Sequence, residues 1–96
     1  MKKSLFTLAN FLRGKGFKSR EAFKRAWAIL RLRYKMFTEP VQFSYVKDTG
    51  EIREAIGFYG EEHAPKDLSI TGLVIKYYDM TVGGWRSFRA DRLIIA

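Results

Sequence analysis

The sequence contains no cysteine, which excludes a disulfide framework, a thiolate zinc site and a cysteine nucleophile together. A 96-residue chain without such staples must hold itself together by one apolar core, since a domain of this length buries only about 60–65% of its unfolded surface. Histidine occurs once, as His63, in an acidic stretch beside Glu61 and Glu62. A metal centre needs three or four ligands and a triad needs a positioned nucleophile, so neither can be assembled around it and a solvated loop is the simpler reading. No Gly-Lys-Ser or Gly-Lys-Thr phosphate loop occurs, and the paired carboxylates Glu51 and Glu54 sit in and beside a turn where cross-strand cations account for them. The sequence therefore predicts no enzyme, no cofactor, and no catalytic or metal-binding residue. Long apolar runs are missing as well. Nothing approaches the roughly 18 apolar residues of a membrane span, and the start through Leu5 and Phe6 is interrupted by Thr7 and Asn10 before a signal-peptide core can form. A cytoplasmic protein is expected.

Acidic residues are scarce in one half only. Residues 1–38 hold eleven Lys and Arg against Glu21 alone, a balance of +10, while residues 39–96 hold seven basic against nine acidic residues, a balance of −2. All of the net charge of +8 thus belongs to the first segment, and such asymmetry points to a polyanionic partner. Aromatic residues are plentiful, with eight Phe, five Tyr and two Trp, enough bulky surface to offset the entropy of ordering.

The hydrophobic period divides the chain at the same place. Leu5, Leu8, Ala9 and Leu12 fall on one face of a first helix, with Ser4 placed to cap it and Gly14 and Gly16 to end it. Ser19 is placed to cap a second helix whose apolar stripe reads Phe23, Trp27, Leu30, Tyr34 and Phe37, flanked by Ala26 and Ile29; Pro40 ends it. Opposite that stripe lie Arg20, Lys24, Arg31 and Lys35, with Arg25 and Arg33 on its flanks. An ordinary solvated helix face would account for such a ridge, but it would intersperse both signs of charge, and like charges four residues apart repel.

From Val41 the period becomes two. Strands are predicted over residues 41–45, 52–58, 73–78, 85–89 and 93–95, with a turn at residues 47–51, Gly57 as a bulge or point of close approach, a surface loop over residues 59–69, and a 3₁₀ turn at Ala90-Asp91-Arg92. The fold class expected is α+β: two N-terminal helices followed by a five-stranded antiparallel SH3-like or Sm-like β-barrel. It forms one domain over residues 1–96, with a basic helical segment at 1–38 and the barrel at 41–96. Closure would remove exposed strand edges; an open sheet on the helices is the alternative.

The stretches Lys47-Asp48-Thr49-Gly50-Glu51-Ile52-Arg53-Glu54-Ala55-Ile56-Gly57, Tyr77-Tyr78-Asp79-Met80 and Val82-Gly83-Gly84-Trp85-Arg86-Ser87-Phe88-Arg89-Ala90-Asp91-Arg92-Leu93-Ile94 resemble the uncharacterised WYL-like family of Sm-type SH3 β-barrel proteins, known from Bacteroidetes, their phages and mobile elements. Larger WYL domains accompany DNA-binding modules and close on a similar segment. The resemblance therefore implies a barrel that senses a ligand or nucleic acid, with Phe88, Arg89, Asp91 and Arg92 as matching positions. A Trp-Tyr-Leu tripeptide is lacking, since Arg86 and Ser87 follow Trp85.

The function expected is non-catalytic nucleic-acid binding, to DNA or RNA, by Arg20, Lys24, Arg25, Arg31, Arg33 and Lys35. Trp85, Arg86 and Arg89 on the barrel are expected to assist. Strand alternation sets Trp85, Ser87 and Arg89 against Arg86 and Phe88. Whichever of Trp85 and Phe88 stays outside the core, with Tyr45, Tyr59 or Tyr78, is placed to stack a base, while Asp91 and Arg92 are placed to pin the 3₁₀ turn. The alternative is a protein-interaction or ligand-sensing adaptor that docks on an acidic partner or on another copy of itself. Surface attachment to an anionic membrane through Phe23 and Trp27, and helix-turn-helix reading of DNA, fit less well. The former needs an undocked helix, and the connection at residues 14–18 is long and glycine-rich for the latter.

Overall fold

The computed structural model describes residues 2–64 and 72–95, Lys2 and Lys3 by their backbone alone. Helix α1 (Lys2–Gly14) begins before Ser4, which therefore lies within its first turn and does not cap it. Its C-terminus is a Schellman motif: the Gly16 N–H donates to Arg13 O at 3.0 Å and the Phe17 N–H to Leu12 O at 3.3 Å. Gly16 takes φ +100°, the left-handed position at which glycine alone carries no steric penalty. Helix α2 (Ser19–Thr38) is preceded by Lys18 in an extended conformation with no side-chain cap, so Ser19 stands one position inside the expected boundary. Beyond Thr38, Glu39 is extended ahead of Pro40 as proline requires, its N–H bonded to Lys35 O.

Leu8, Ala9 and Leu12 of α1 are fully buried, as their spacing implies. On α2 the buried face is Ala22, Ala26, Ile29, Leu30, Leu32 and Met36, rotated away from the expected aromatic stripe. Trp27 is 39% and Tyr34 44% exposed, with Phe23 and Phe37 half-buried at the margins. Volume explains the difference. Ala22 and Ala26 let the two helix axes come close, so that each buried Leu of α1 contributes about 1.5–3 kcal/mol, and the large rings are displaced to the flanks of the contact.

Strands β1 (Val41–Val46), β2 (Ile52–Gly57), β3 (Val74–Asp79), β4 (Gly84–Arg89) and β5 (Leu93–Ile94), with a 3₁₀ turn (Ala90–Arg92) before the last, complete the chain. All pairs are antiparallel and the sheet order is β4-β3-β2-β1-β5. The fold is thus α+β, two helices followed by five antiparallel strands in an SH3-like, Sm-like layout. Closure into a barrel is the expectation that the structure corrects. Among the described residues no ladder joins β4 to β5, which are the two edges of the sheet, and β5 is only two residues long and pairs with Ser44 and Tyr45 of β1. The predicted loop is corrected at its start, where Tyr59 is 1% exposed; its part at residues 65–69 lies outside the described residues.

The sheet is two ladders joined at one corner. β1 and β2 pair along their full length, as do β3 and β4, but β2 meets β3 only at Gly57↔Asp79, a pair made by Phe58 N to Tyr78 O at 3.1 Å and Met80 N to Ile56 O at 2.8 Å. Helix α2 is fastened to this corner: Tyr59 N donates to Met36 O at 2.7 Å, satisfying a carbonyl of the last turn. Gly57 serves as a point of close approach. A Cβ there would stand 2.5 Å from Met36 Sδ and 3.0 Å from the Phe43 ring.

Between the ladders lies an aromatic core. Phe43 meets Tyr77 edge-on at 4.9 Å between ring centroids and Phe88 at 5.4 Å, and Tyr45 stacks on Phe88 at 5.4 Å. The hydroxyls of Tyr45 and Tyr77 share a buried hydrogen bond of 2.8 Å. Burial, followed by that hydrogen bond, pushes the Tyr77 phenol well above its ordinary value, and burial likewise raises Tyr59 despite the neighbouring Arg33. The same core cluster runs from Leu8 of α1 to Leu93 of β5.

Two outcomes follow from this core. Gly57→Ala should lower stability by about 1–3 kcal/mol through overpacking; an unchanged melting temperature by circular dichroism would contradict the close approach. Because the folded tyrosines resist ionisation and the unfolded ones do not, stability should be retained below about pH 10 and fall as pH rises beyond it. Urea unfolding should show that fall reduced in Tyr77→Phe; an equal fall would refute the assignment.

Candidate nucleic-acid interface

The six cations grouped on α2 by sequence divide into two sets. Arg20, Lys24, Arg31 and Lys35 are exposed. At 100° per residue they lie within about 60° of one another around the helix, and at 1.5 Å per residue they extend about 22 Å along it. The ion pairs among the described residues all lie in the strands and the turns between them: Lys47–Glu51, Asp79–Arg86, Arg89–Asp91 and Asp48–Arg92. None involves this ridge. Arg31 lies over the Trp27 ring at 6.0 Å, at the margin of a cation–π contact. Arg13, Lys15 and Lys18 are exposed in the connection between the C-terminal end of α1 and the N-terminal end of α2.

Arg25 and Arg33 are engaged in the fold. Arg25 is half-buried, lies over the Phe17 ring at 4.8 Å, and donates through Nη1 to Leu93 O at 2.5 Å and Ala90 O at 3.4 Å, tying α2 to the 3₁₀ turn and β5. Desolvation lowers its pKa while the Asp91 and Glu21 carboxylates oppose that shift. Arg33 is hydrogen-bonded to the Tyr59 side chain.

On the sheet, Phe88 fills the core at 3% exposure and Trp85 remains outside at 52%. Of the tyrosines placed beside it by sequence, Tyr45 and Tyr59 are buried and only Tyr78 is partly exposed. Trp85 meets Tyr78 edge-on at 5.8 Å, and Tyr78 stacks on His63 at 3.6 Å with the rings 14° from parallel. His63 is therefore packed against an aromatic face, a correction to its reading as a solvated loop residue. The order His63, Tyr78, Trp85, Tyr59 continues through Phe37 to Tyr34 on α2, but Tyr59 is buried, so the exposed rings Trp85 and Tyr34 stand on either side of a buried one.

Arg86 and Arg89 belong to a different place. They line a cleft of about 580 Å³ together with Lys47, Arg53 and Arg92, so five of the seven basic residues of the acidic half converge there. Asp79, 1% exposed, accepts from Thr81 N at 2.9 Å and Thr81 Oγ1 at 2.5 Å, and holds Arg86 Nε at 3.4 Å by charge without a directed hydrogen bond. Asp91 receives both Nε and Nη2 of Arg89, at 3.1 and 3.3 Å. Arg92 pairs with Asp48 in the β1–β2 turn, so it spans to the hairpin where the sequence suggested that it pins its own turn. Sequence reasoning missed Lys47, Arg53 and the anchoring Asp79, because a summed charge of −2 conceals where the cations converge.

Among the described residues no group of three His, Asp or Glu residues is placed to hold a metal, and no helix is long and apolar enough to cross a membrane. A family model described as WYL_2, Sm-like SH3 beta-barrel fold, matches residues 29–94, from the middle of α2 to the end of β5. No match is found among curated proteins or among solved structures.

The two sets of helix cations should separate by stability. Arg25→Met strands two carbonyls and should cost about 1–3 kcal/mol, whereas Arg31→Met should stay within about 0.5 kcal/mol. Equal midpoint shifts in urea for the two variants would contradict the division.

Proposed function

This chain belongs to the WYL_2 family, of Sm-like SH3 beta-barrel fold, and on that premise we propose that it is a non-catalytic, nucleic-acid-binding accessory protein of the cytoplasm. The observation that carries the proposal is the exposed ridge of Arg20, Lys24, Arg31 and Lys35, which forms no ion pair among the described residues. Four unneutralised cations in a line of about 22 Å repel one another in the free protein, and a phosphate backbone relieves that repulsion while releasing its condensed counterions. Trp85 and Tyr78 add an aromatic surface on which an unpaired base can stack, for about 1–3 kcal/mol per base. The family supports a regulatory or nucleic-acid-related role, and the ridge supplies the chemistry by which this chain performs it.

Phosphate contacts position a protein without reading sequence, so the ridge by itself should bind duplex and single strands with little sequence preference. With four contacts, log K should fall against log salt with a slope of about −3.6 on duplex DNA. Replacing Arg20, Lys24, Arg31 and Lys35 together by Glu should abolish retention on DNA and RNA columns with little change in melting temperature. Retention that survives in the folded variant would remove the proposal. A salt-sensitive oligomer in light scattering, indifferent to nucleic acid, would replace it with docking on an acidic partner or on a second copy.

A further inference from the structure

The two helices present a row of rings beside the ridge of cations. Close packing through Ala22 and Ala26 turns the large side chains of α2 outward, so Trp27 and Tyr34 are exposed and Phe23 is half-buried. At 100° per residue these three fall within about 40° of one another around α2, and the ridge begins about 20° beyond Trp27. Phe6 of α1 joins them, being 54% exposed and meeting Phe23 edge-on at 5.4 Å. Arg13, also exposed, lies about 20° from Phe6 around α1. The boundary between rings and cations is marked by Arg31 over the Trp27 ring at 6.0 Å. Glu21, the one acidic residue of positions 1–38, stands about 120° from Trp27 around the helix, so no carboxylate interrupts the row.

The combination of features identifies the partner. A phosphate backbone accounts for the cations, but it leaves the exposed Phe6 ring with nothing apolar to meet. An anionic bilayer offers both: charged headgroups for the cations, and acyl chains within the about 5–10 Å to which a helix lying on the surface buries its apolar side. Trp and Tyr rings settle at the headgroup level for the same reason. Had the rings filled the core, such attachment would have required α2 to undock. Instead α2 docks through Ala22, Ala26, Ile29 and Met36 and carries its rings outward while docked. Among the described residues no helix is long and apolar enough to cross a membrane, so the contact is with the surface. The cytoplasmic leaflet is the anionic one, and it is the leaflet that a protein of the cytoplasm meets.

We infer that the outward face of α1 and α2 binds the surface of an anionic membrane, with Phe6 and Trp27 entering the headgroup boundary and Arg13, Arg20, Lys24 and Arg31 on the lipid headgroups. This goes beyond the nucleic-acid role, because it rests on rings that contact between the ridge and a phosphate backbone does not use.

Co-sedimentation with phosphatidylcholine vesicles containing about one-third phosphatidylserine tests it. The protein should sediment with these vesicles and stay in solution with phosphatidylcholine alone. Phe6→Ala and Trp27→Ala should each weaken vesicle binding at least about tenfold, while retention on a DNA column stays as in the unaltered chain. Should Phe6→Ala lower the melting temperature enough to unfold the protein, Trp27→Ala decides. In a Trp85→Phe chain, where Trp27 is the one remaining tryptophan, the anionic vesicles should shift its emission to shorter wavelength, and lipids brominated in their acyl chains should quench it. Absence of sedimentation with anionic vesicles, binding unchanged in the folded ring variants, or a Trp27 emission that does not move would overturn the inference, the last two marking adsorption by charge alone. Ring variants that lose DNA retention and keep vesicle binding would overturn it as well, and would assign the rings to nucleic acid. Vesicle binding by an unaltered chain that DNA columns do not retain would remove the function proposed above and leave this one standing.

Discussion

The meeting of α2, β2 and β3 at Gly57 is the contact on which the rest of the architecture depends. The elements come so close there that a side chain would have to displace its neighbours: a Cβ at Gly57 would stand 2.5 Å from Met36 Sδ, 3.0 Å from the Phe43 ring and 3.3 Å from the Tyr77 ring. The next residues spend their backbone on the same joint, with Phe58 bonded to Tyr78 and Tyr59 to Met36. One glycine thereby docks the helix layer on the sheet, joins the two ladders, and sets the direction in which they separate. Both the outward face of α2 and the opening between the ladders are consequences of that joint.

Most of the fold was legible in the sequence. Strand positions followed from alternation and from turn residues whose conformations the structure contains, including Gly50 at φ +90° and Gly83 at φ +65°. What was not legible is geometry that hydropathy does not encode. Alternation identifies strands but does not say how far a ladder extends, so the single β2–β3 pair and the lack of closure were invisible to it. The face of α2 was misassigned for a related reason: Phe23, Trp27 and Tyr34 outweigh Ala22 and Ala26 on any hydrophobicity scale, yet close helix packing selects small residues. Ser4 and Ser19 were read as caps one or more residues too far inward, because backbone conformation outranked the side-chain preference in both places.

The candidate site divides in the same way. A one-sided line of charge on a helix is a periodic feature, and Arg20, Lys24, Arg31 and Lys35 were readable from spacing alone. Arg25 and Arg33 have the same spacing but carry structural roles that depend on Leu93, Ala90 and Tyr59, all distant in sequence. The cleft is assembled from the first hairpin and from the β4 strand with its following turn, segments separated by a long connection, and no local motif announces it. The Phe88, Arg89, Asp91 and Arg92 positions that resemble the larger WYL domains, and Arg86 expected on the barrel surface, pointed toward it without assembling it.

The one-pair seam between β2 and β3 also bears on how the molecule breathes. Each ladder is closed within its own neighbouring segment, by strands joined in sequence, whereas the seam has two backbone bonds, Phe58 N to Tyr78 O and Met80 N to Ile56 O, on either side of the Gly57↔Asp79 pair. A protein divided this way opens in cooperative units below the cost of global unfolding. Among the described residues, what holds the two hairpins together beyond that corner is side chain and not backbone: Phe43 and Tyr45 of one against Tyr77 and Phe88 of the other, with a single hydroxyl-to-hydroxyl bond between them.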